Sequence, residues 1–185
     1  MWPNFRAYRG RAPLGRDKRD TPDVIRLAAS VCIDAPAATV WAVLARIEDI
    51  KLWSETVRDS RCEGPVSRGV GAERTCDLAG GVTIRERWFA WDEGRSFTYE
   101  GRGVPLIASA RNRWTVHPVG ERTLLTSEAE VVLKRGSLGR LLEPPMRLQV
   151  ERMTPRTLVA FKHLVEHGEP PRVKHAKLLP IPTAC

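Results

Sequence analysis

Residues 24–41 read VIRLAASVCIDAPAATVW, and the pattern changes halfway along. Ile25, Leu27, Ala29, Val31 and Ile33 alternate with Arg26, Ala28, Ser30 and Cys32, the period of two expected of a half-buried strand. Asp34-Ala35-Pro36 ends that strand. Asp34 is a capping residue, and Pro36 suits the first turn of a helix, where its missing N–H costs nothing. Val40, Trp41, Val43, Leu44 and Ile47 then recur at helical spacing, and Ile50 to Trp53 continue as a second short helix with Asp49 near its start.

Downstream the chain becomes a series of short strands separated by turn residues. The spacing predicts strands over 56–62, 72–78, 82–91, 96–101, 107–117 and 122–133. Gly64-Pro65, Gly80-Gly81, Asp92-Glu93-Gly94-Arg95, a Gly/Pro loop through Pro105, and Pro118-Val119-Gly120 mark the turns. Such regular spacing gives a meandering antiparallel sheet. The end is helical: Leu138, Leu141, Leu142, Met146, Val150, Met153, Leu158, Phe161 and Leu164 recur every three or four residues, and Gly168 is a natural stop. Pro144-Pro145 and Pro155 predict a short helical piece, a break, and a main helix bent near Pro155, because an interior proline removes a hydrogen bond and costs ~3 kcal/mol unless the helix kinks.

The order is strand, two short helices, six strands and a long helix. Four stretches carry a resemblance to a known family: 31–41 (VCIDAPAATVW), 50–53 (IKLW), 86–92 (ERWFAWD) and 114–120 (WTVHPVG). Over about residues 23–167 the sequence resembles the START-related helix-grip (SRPBCC) superfamily, in particular its polyketide cyclase/dehydrase and lipid-transport branch. The resemblance implies an α+β helix-grip fold, a curved antiparallel sheet of about seven strands around a long C-terminal helix. It also implies a cavity between sheet and helix for a hydrophobic ligand. Members include carriers, sensors, cyclases and assembly factors, so fold alone does not select a chemistry.

Charge divides the chain into three. The formal net charge is +8. Residues 1–22 hold six basic side chains against Asp17 and Asp20, net +4, and residues 168–185 hold Arg172, Lys174 and Lys177 against Glu169, net +2. The domain over 23–167 is therefore nearly neutral, between a flexible basic lead-in and a Pro-rich basic tail. Tail-borne charge supports weak contacts with anionic surfaces and no specific nucleic-acid partner. No apolar run is long enough for a membrane span, and none follows the N-terminal arginines, so no signal peptide is expected and the expected setting is cytoplasmic. Cys32, Cys62, Cys76 and Cys185 show no zinc spacing; Cys62 and Cys76 could face each other across a hairpin, but a reducing cytoplasm argues against a disulfide there.

Read concave-side in, the alternation points Val82, Ile84, Glu86, Trp88 and Ala90 inward, then Phe97 and Tyr99, then Ala108, Ala110, Asn112, Trp114 and Val116. Leu125, Ser127, Ala129 and Val131 come from the last strand, while Arg85, Arg87, Arg111, Arg113, Glu128 and Glu130 fall outside. Apolar walls with a few polar groups make a ligand pocket. The expected ligand-binding set is Trp53, Ile84, Glu86, Trp88, Phe97, Tyr99, Ala110, Asn112, Trp114, Met146, Val150 and Met153. Glu86 is the most informative, because a carboxylate on an apolar face must find a partner or take up a proton. It reads either as a polar anchor or general acid/base, with Tyr99 as its proton-handling companion, or as the structural partner of an arginine such as Arg74.

His163-Leu164-Val165-Glu166-His167 matches HxxEH, but it occupies the last helical turn with no organised third ligand after it, and no metal site or cofactor is expected. The leading functional expectation is binding or transport of a lipid-like or polycyclic small molecule without catalysis. The alternatives are an aromatase/cyclase or dehydratase using Glu86 and Tyr99, and a partner-binding assembly factor using the basic tails.

Overall fold

A computed structural model describes residues 24–134, 137–171 and 185. Its first strand, β1 (Val24–Ile33), pairs along its whole length with the last, β7 (Arg122–Leu133), from Val24 opposite Val132 to Ile33 opposite Thr123. Between them in sequence lie α1 (Ala37–Leu44), a 3-10 helix (Ile47–Leu52), β2 (Val57–Glu63), β3 (Glu73–Leu78), β4 (Thr83–Asp92), β5 (Ser96–Arg102) and β6 (Ile107–Val119). The seven strands form one antiparallel sheet in the order β1-β7-β6-β5-β4-β3-β2. Only the β7 to β1 neighbour relation departs from a simple meander. A long helix, α2 (Ser137–His167), follows β7 and packs on the sheet.

The strand-to-helix turn is built differently from the expectation. Pro36 is the N-cap itself, and no side chain caps α1. Asp34 instead donates its backbone N–H to Glu166 Oε1 at 2.6 Å, and Thr123 Oγ1 donates to the Ala35 carbonyl at 2.7 Å. The turn is therefore fastened to α2 and to the sheet. Val40, Trp41 and Leu44 form the buried face of α1.

Two β-bulges correct the inward list. The β4–β5 register slips between Trp88 and Ala90, which leaves Ala90 and Phe89 exposed and turns Trp91 toward Trp41 and Phe97 instead. The β6–β7 register slips between Ile107 and Ser109, and Ala108 is exposed. An extra residue in one strand reverses the side of every position on one flank of it, so strict alternation fails there. The arginines and glutamates expected on the convex face are there. Arg87, Arg102 and Arg111 lie within ion-pair distance of Glu73 or Glu100.

The helix also differs. No break occurs at Pro144-Pro145: α2 is one assigned helix of 31 residues with all three prolines inside it. Pro144 and Pro145 are themselves exposed. Leu158, Ala160, Phe161 and Leu164 form the buried face, and Leu158 and Phe161 are fully buried, each such side chain contributing about 1.5–3 kcal/mol by removal from water. The side chains of Leu138, Leu141, Leu142 and Val150 lie outside the described residues.

One cysteine pair is not foreseen by the sequence pattern. Cys62 and Cys76 are both free, and Cys32 is joined to Cys185 by a disulfide across 153 positions of sequence, with Cα atoms 5.2 Å apart. Residues 1–22 and most of the tail beyond 171 lie outside the described residues, as do the contacts with anionic surfaces expected of them. No helix among the described residues is long and apolar enough to cross a membrane.

Candidate functional site

β3 and β4 set the floor of the site. Their register puts Arg74 directly opposite Glu86. Both side chains are buried, at 3% and 6% exposure, and they form an ion pair: Arg74 Nε donates to Glu86 Oε2 at 2.7 Å and the second guanidinium nitrogen lies 2.5 Å from the same oxygen. The remaining terminal nitrogen donates to the Ile47 carbonyl, which ties the 3-10 helix to the floor. The guanidinium also lies over Trp88, 5.0 Å from the ring centroid, and over Tyr99 at 5.8 Å. Cys76 Sγ adds a long contact to Glu86 Oε2 at 3.5 Å. All these contacts fall on Oε2. Among the described residues, Oε1 accepts no hydrogen bond.

Above this floor, between the concave face of the sheet and α2, is a cavity of about 260 Å³. Of the twelve residues expected at the site, Trp53, Ile84, Glu86, Tyr99, Ala110, Asn112, Trp114 and Met153 line it. Trp88 and Phe97 do not. They are buried at 1% and 3% exposure in an aromatic cluster with Trp41, Trp91 and Tyr99, and Trp88 sits beneath the guanidinium of Arg74. Met146 packs instead against Ile25, Val131 and Leu133, a second small cluster. The side chain of Val150 lies outside the described residues.

Sequence reading missed Gly101 from β5, Val104 from the β5–β6 connection, and Thr154 and Thr157 from α2, all of which line the cavity. Thr157 was findable, since it lies four positions after Met153 on the same helical face. Ser127 donates from Oγ to Asn112 Oδ1 at 3.1 Å, which leaves the amide nitrogen of Asn112 available as a donor. Trp53 forms the wall toward the helix, its ring 5.5 Å from Trp114 and 5.2 Å from Phe161, both edge-on.

A larger depression of about 610 Å³ lies on the convex face, lined by Glu73, Arg85, Arg87, Glu100, Arg102 and Arg111 among others. Its charges are mostly paired with one another, and its one aromatic side chain, Phe89, is covered by the Arg111 guanidinium at 4.9 Å.

At the far edge, Glu93 in the β4–β5 turn accepts the indole N–H groups of both Trp41 and Trp91 at 2.7 Å and an Arg68 guanidinium contact, which hold its carboxyl below the usual carboxylate range. Glu166, the glutamate of the HxxEH stretch, is occupied by the Asp34 N–H and by Lys162, while His163 and His167 stack at 4.2 Å.

Burial pushes the Tyr99 hydroxyl above its ordinary value, with the Glu86 carboxylate adding to the effect. Burial likewise pushes the Cys76 thiol from 9.0 up to about 12. Both groups are acids with a raised folded-state pKa, so the unfolded chain releases their protons first. Their contribution to stability is fully present below the unfolded values and is lost as pH rises through them. Urea-unfolding midpoints are expected to decline once pH exceeds about 9, the ordinary value for the thiol. Combining Cys76→Ala with Tyr99→Phe should flatten that decline; an unchanged slope would assign it to other groups.

The sequence model of the polyketide cyclase/dehydrase and lipid transport family matches residues 24–166, the whole domain from β1 to the last turn of α2. This chain belongs to that family. Among solved structures, the Zhui aromatase/cyclase from a Streptomyces species superposes with a TM-score of 0.64 at 21% identity, covering 85% of this chain and 100% of its own. Truncated norcoclaurine synthase from Thalictrum flavum gives 0.61 at 14%, covering 82% and 99%. A Bacillus thuringiensis protein described as uncharacterised gives 0.62 at 17%, covering 76% and 98%. No curated protein sequence matches. The likeness to these structures establishes the helix-grip fold, and the family is one of hydrophobic-ligand binders.

Proposed function

We propose that this family member binds or carries a hydrophobic small molecule, without transforming it, in the cavity between sheet and α2. The observation that carries the reading is the cavity itself: apolar walls from Trp53, Ile84, Trp114 and Met153, with polar side chains at Glu86 and Tyr99, at the Asn112–Ser127 pair, and at Ser54, Thr56, Thr154 and Thr157 around them. An apolar enclosure with a few fixed polar groups is how proteins hold small ligands.

The cyclase or dehydratase reading draws on the Tyr99 hydroxyl lining the same cavity beside Glu86. Two features favour binding over that alternative. Glu86 is committed to Arg74 through Oε2, and burial pushes the Tyr99 hydroxyl above its ordinary value, so that hydroxyl is a poor proton donor near neutral pH. The cytoplasmic setting belongs to this proposal. The thiol pool there opposes the Cys32–Cys185 bond, which makes the state of that bond informative about location.

Native mass spectrometry of protein purified from its own cells, with displacement of an environment-sensitive dye, tests the reading. A copurified apolar guest and saturable displacement are expected, and Ala129→Phe, which fills the lining from β7, should weaken dye binding at least tenfold with the fold retained. A guest-free protein that binds no dye would overturn the proposal. Turnover of a polyketide-like substrate that Glu86→Gln abolishes would install the enzyme reading in its place.

A further inference from the structure

The ion pair at the cavity floor is oriented. Glu86 lines the cavity, whereas Arg74 stands behind it, 3% exposed and outside the lining. The guanidinium is held by Glu86 Oε2 and the Ile47 carbonyl and covered by the rings of Trp88 and Tyr99. A guest therefore meets a carboxylate oxygen and never reaches the cation. Oε2 is occupied, and Oε1 is the acceptor that remains. The backbone keeps it open: a Cβ built on Gly101, the residue opposite Glu86 in β5, would lie 3.5 Å from Glu86 Cγ and 3.9 Å from Oε1.

We propose, building on the binding reading above, that the cavity selects compact neutral guests bearing a hydroxyl group, which enter donor end first and hydrogen-bond to Glu86 Oε1, and that it rejects carboxylates. A guest carboxylate would place a second negative charge beside Oε1 in a poorly screened site, while a hydroxyl fills the vacant acceptor without changing the charge. An ammonium guest gains less, because Arg74 already neutralises Glu86. The volume limits size as well. An apolar cavity of ~150 Å³ accommodates a benzene ring, so about 260 Å³ suits a skeleton of one or two rings and is small for a long acyl chain held wholly inside.

Titration of the purified full-length protein with 2-naphthol, 2-naphthoate and naphthalene, followed by tryptophan fluorescence and calorimetry, tests this. The naphthol is expected to bind at least tenfold more tightly than the naphthoate and more tightly than naphthalene. In Glu86→Gln the unpaired Arg74 remains, and the naphthoate should then bind at least as well as the naphthol. Gly101→Ala provides a variant that folds, since its methyl sits at ordinary contact distance. It should weaken naphthol severalfold more than it weakens naphthalene. Equal binding of all three compounds would overturn the selectivity and leave the binding function standing. Failure of all three to bind, in a protein that also displaces no dye, would overturn both.

Discussion

Replacing Arg74 with methionine is expected to cost about 3–5 kcal/mol of stability, the range for removing one partner of a buried ion pair. The change strands the Glu86 carboxylate, 6% exposed, and takes the donor from the Ile47 carbonyl, so the floor of the cavity and the anchor of the 3-10 helix fail together. The double change Arg74→Met with Glu86→Leu removes both charges and keeps an apolar floor of similar volume, and it should recover most of the loss. Two opposing terms explain why. The pair's mutual attraction roughly offsets the desolvation of its members, so the pair adds little net stability while either half alone is costly. Urea unfolding of the parent, both single variants and the double variant closes the cycle. A single Arg74→Met variant as stable as the parent would show that water reaches Glu86 by a path the packing around Trp88 does not suggest.

The second large effect is expected at Phe161→Ala, at about 3–5 kcal/mol. Phe161 is fully buried on α2 and meets Trp53 edge-on at 5.2 Å and Trp114 at 6.3 Å. One ring thus joins the long helix, the residue ending the 3-10 helix, and β6. Its removal deletes three sets of contacts and leaves a void that three separate elements cannot close without moving. Phe161→Leu keeps most of the volume and should lose well under half as much. Because Trp53 and Trp114 also line the cavity, the alanine variant should accept larger guests than the parent even where it is less stable. Thermal unfolding with dye binding reads both effects, and equal losses for leucine and alanine would contradict the packing account.

Much of this architecture was legible because the strand and helix periods differ and the turns carry glycine and proline. The β7 bounds match the expected 122–133 and the other strands begin or end within a residue or two. Glu86 was legible for a simple reason: it is a charge in an otherwise apolar alternation. The departures are equally physical. Ala90 and Ala108 lie beyond bulges, and a bulge leaves no mark in a pattern of apolar and polar residues. The uninterrupted α2 shows tertiary packing of Leu158, Phe161 and Leu164 overriding the local cost of three prolines. Trp88 and Phe97 face inward as the alternation requires, but facing the core is not the same as facing the void. Periodicity gives a side and not a depth. The Cys32–Cys185 pairing joins positions 153 apart, and no local signal could mark it.

That bond and the long helix share an anchor in the first strand. Lys162 and Glu166 fasten the last turns of α2 to Cys32 and Asp34, and the disulfide secures the end of the chain to the same strand. One end of the helix is thus a fixed post. At the opposite end Pro144, Pro145 and Leu148 stand exposed. The gripping helix is thus clamped at its C-terminal turns by polar contacts of its own, and reducing the disulfide would leave that clamp in place.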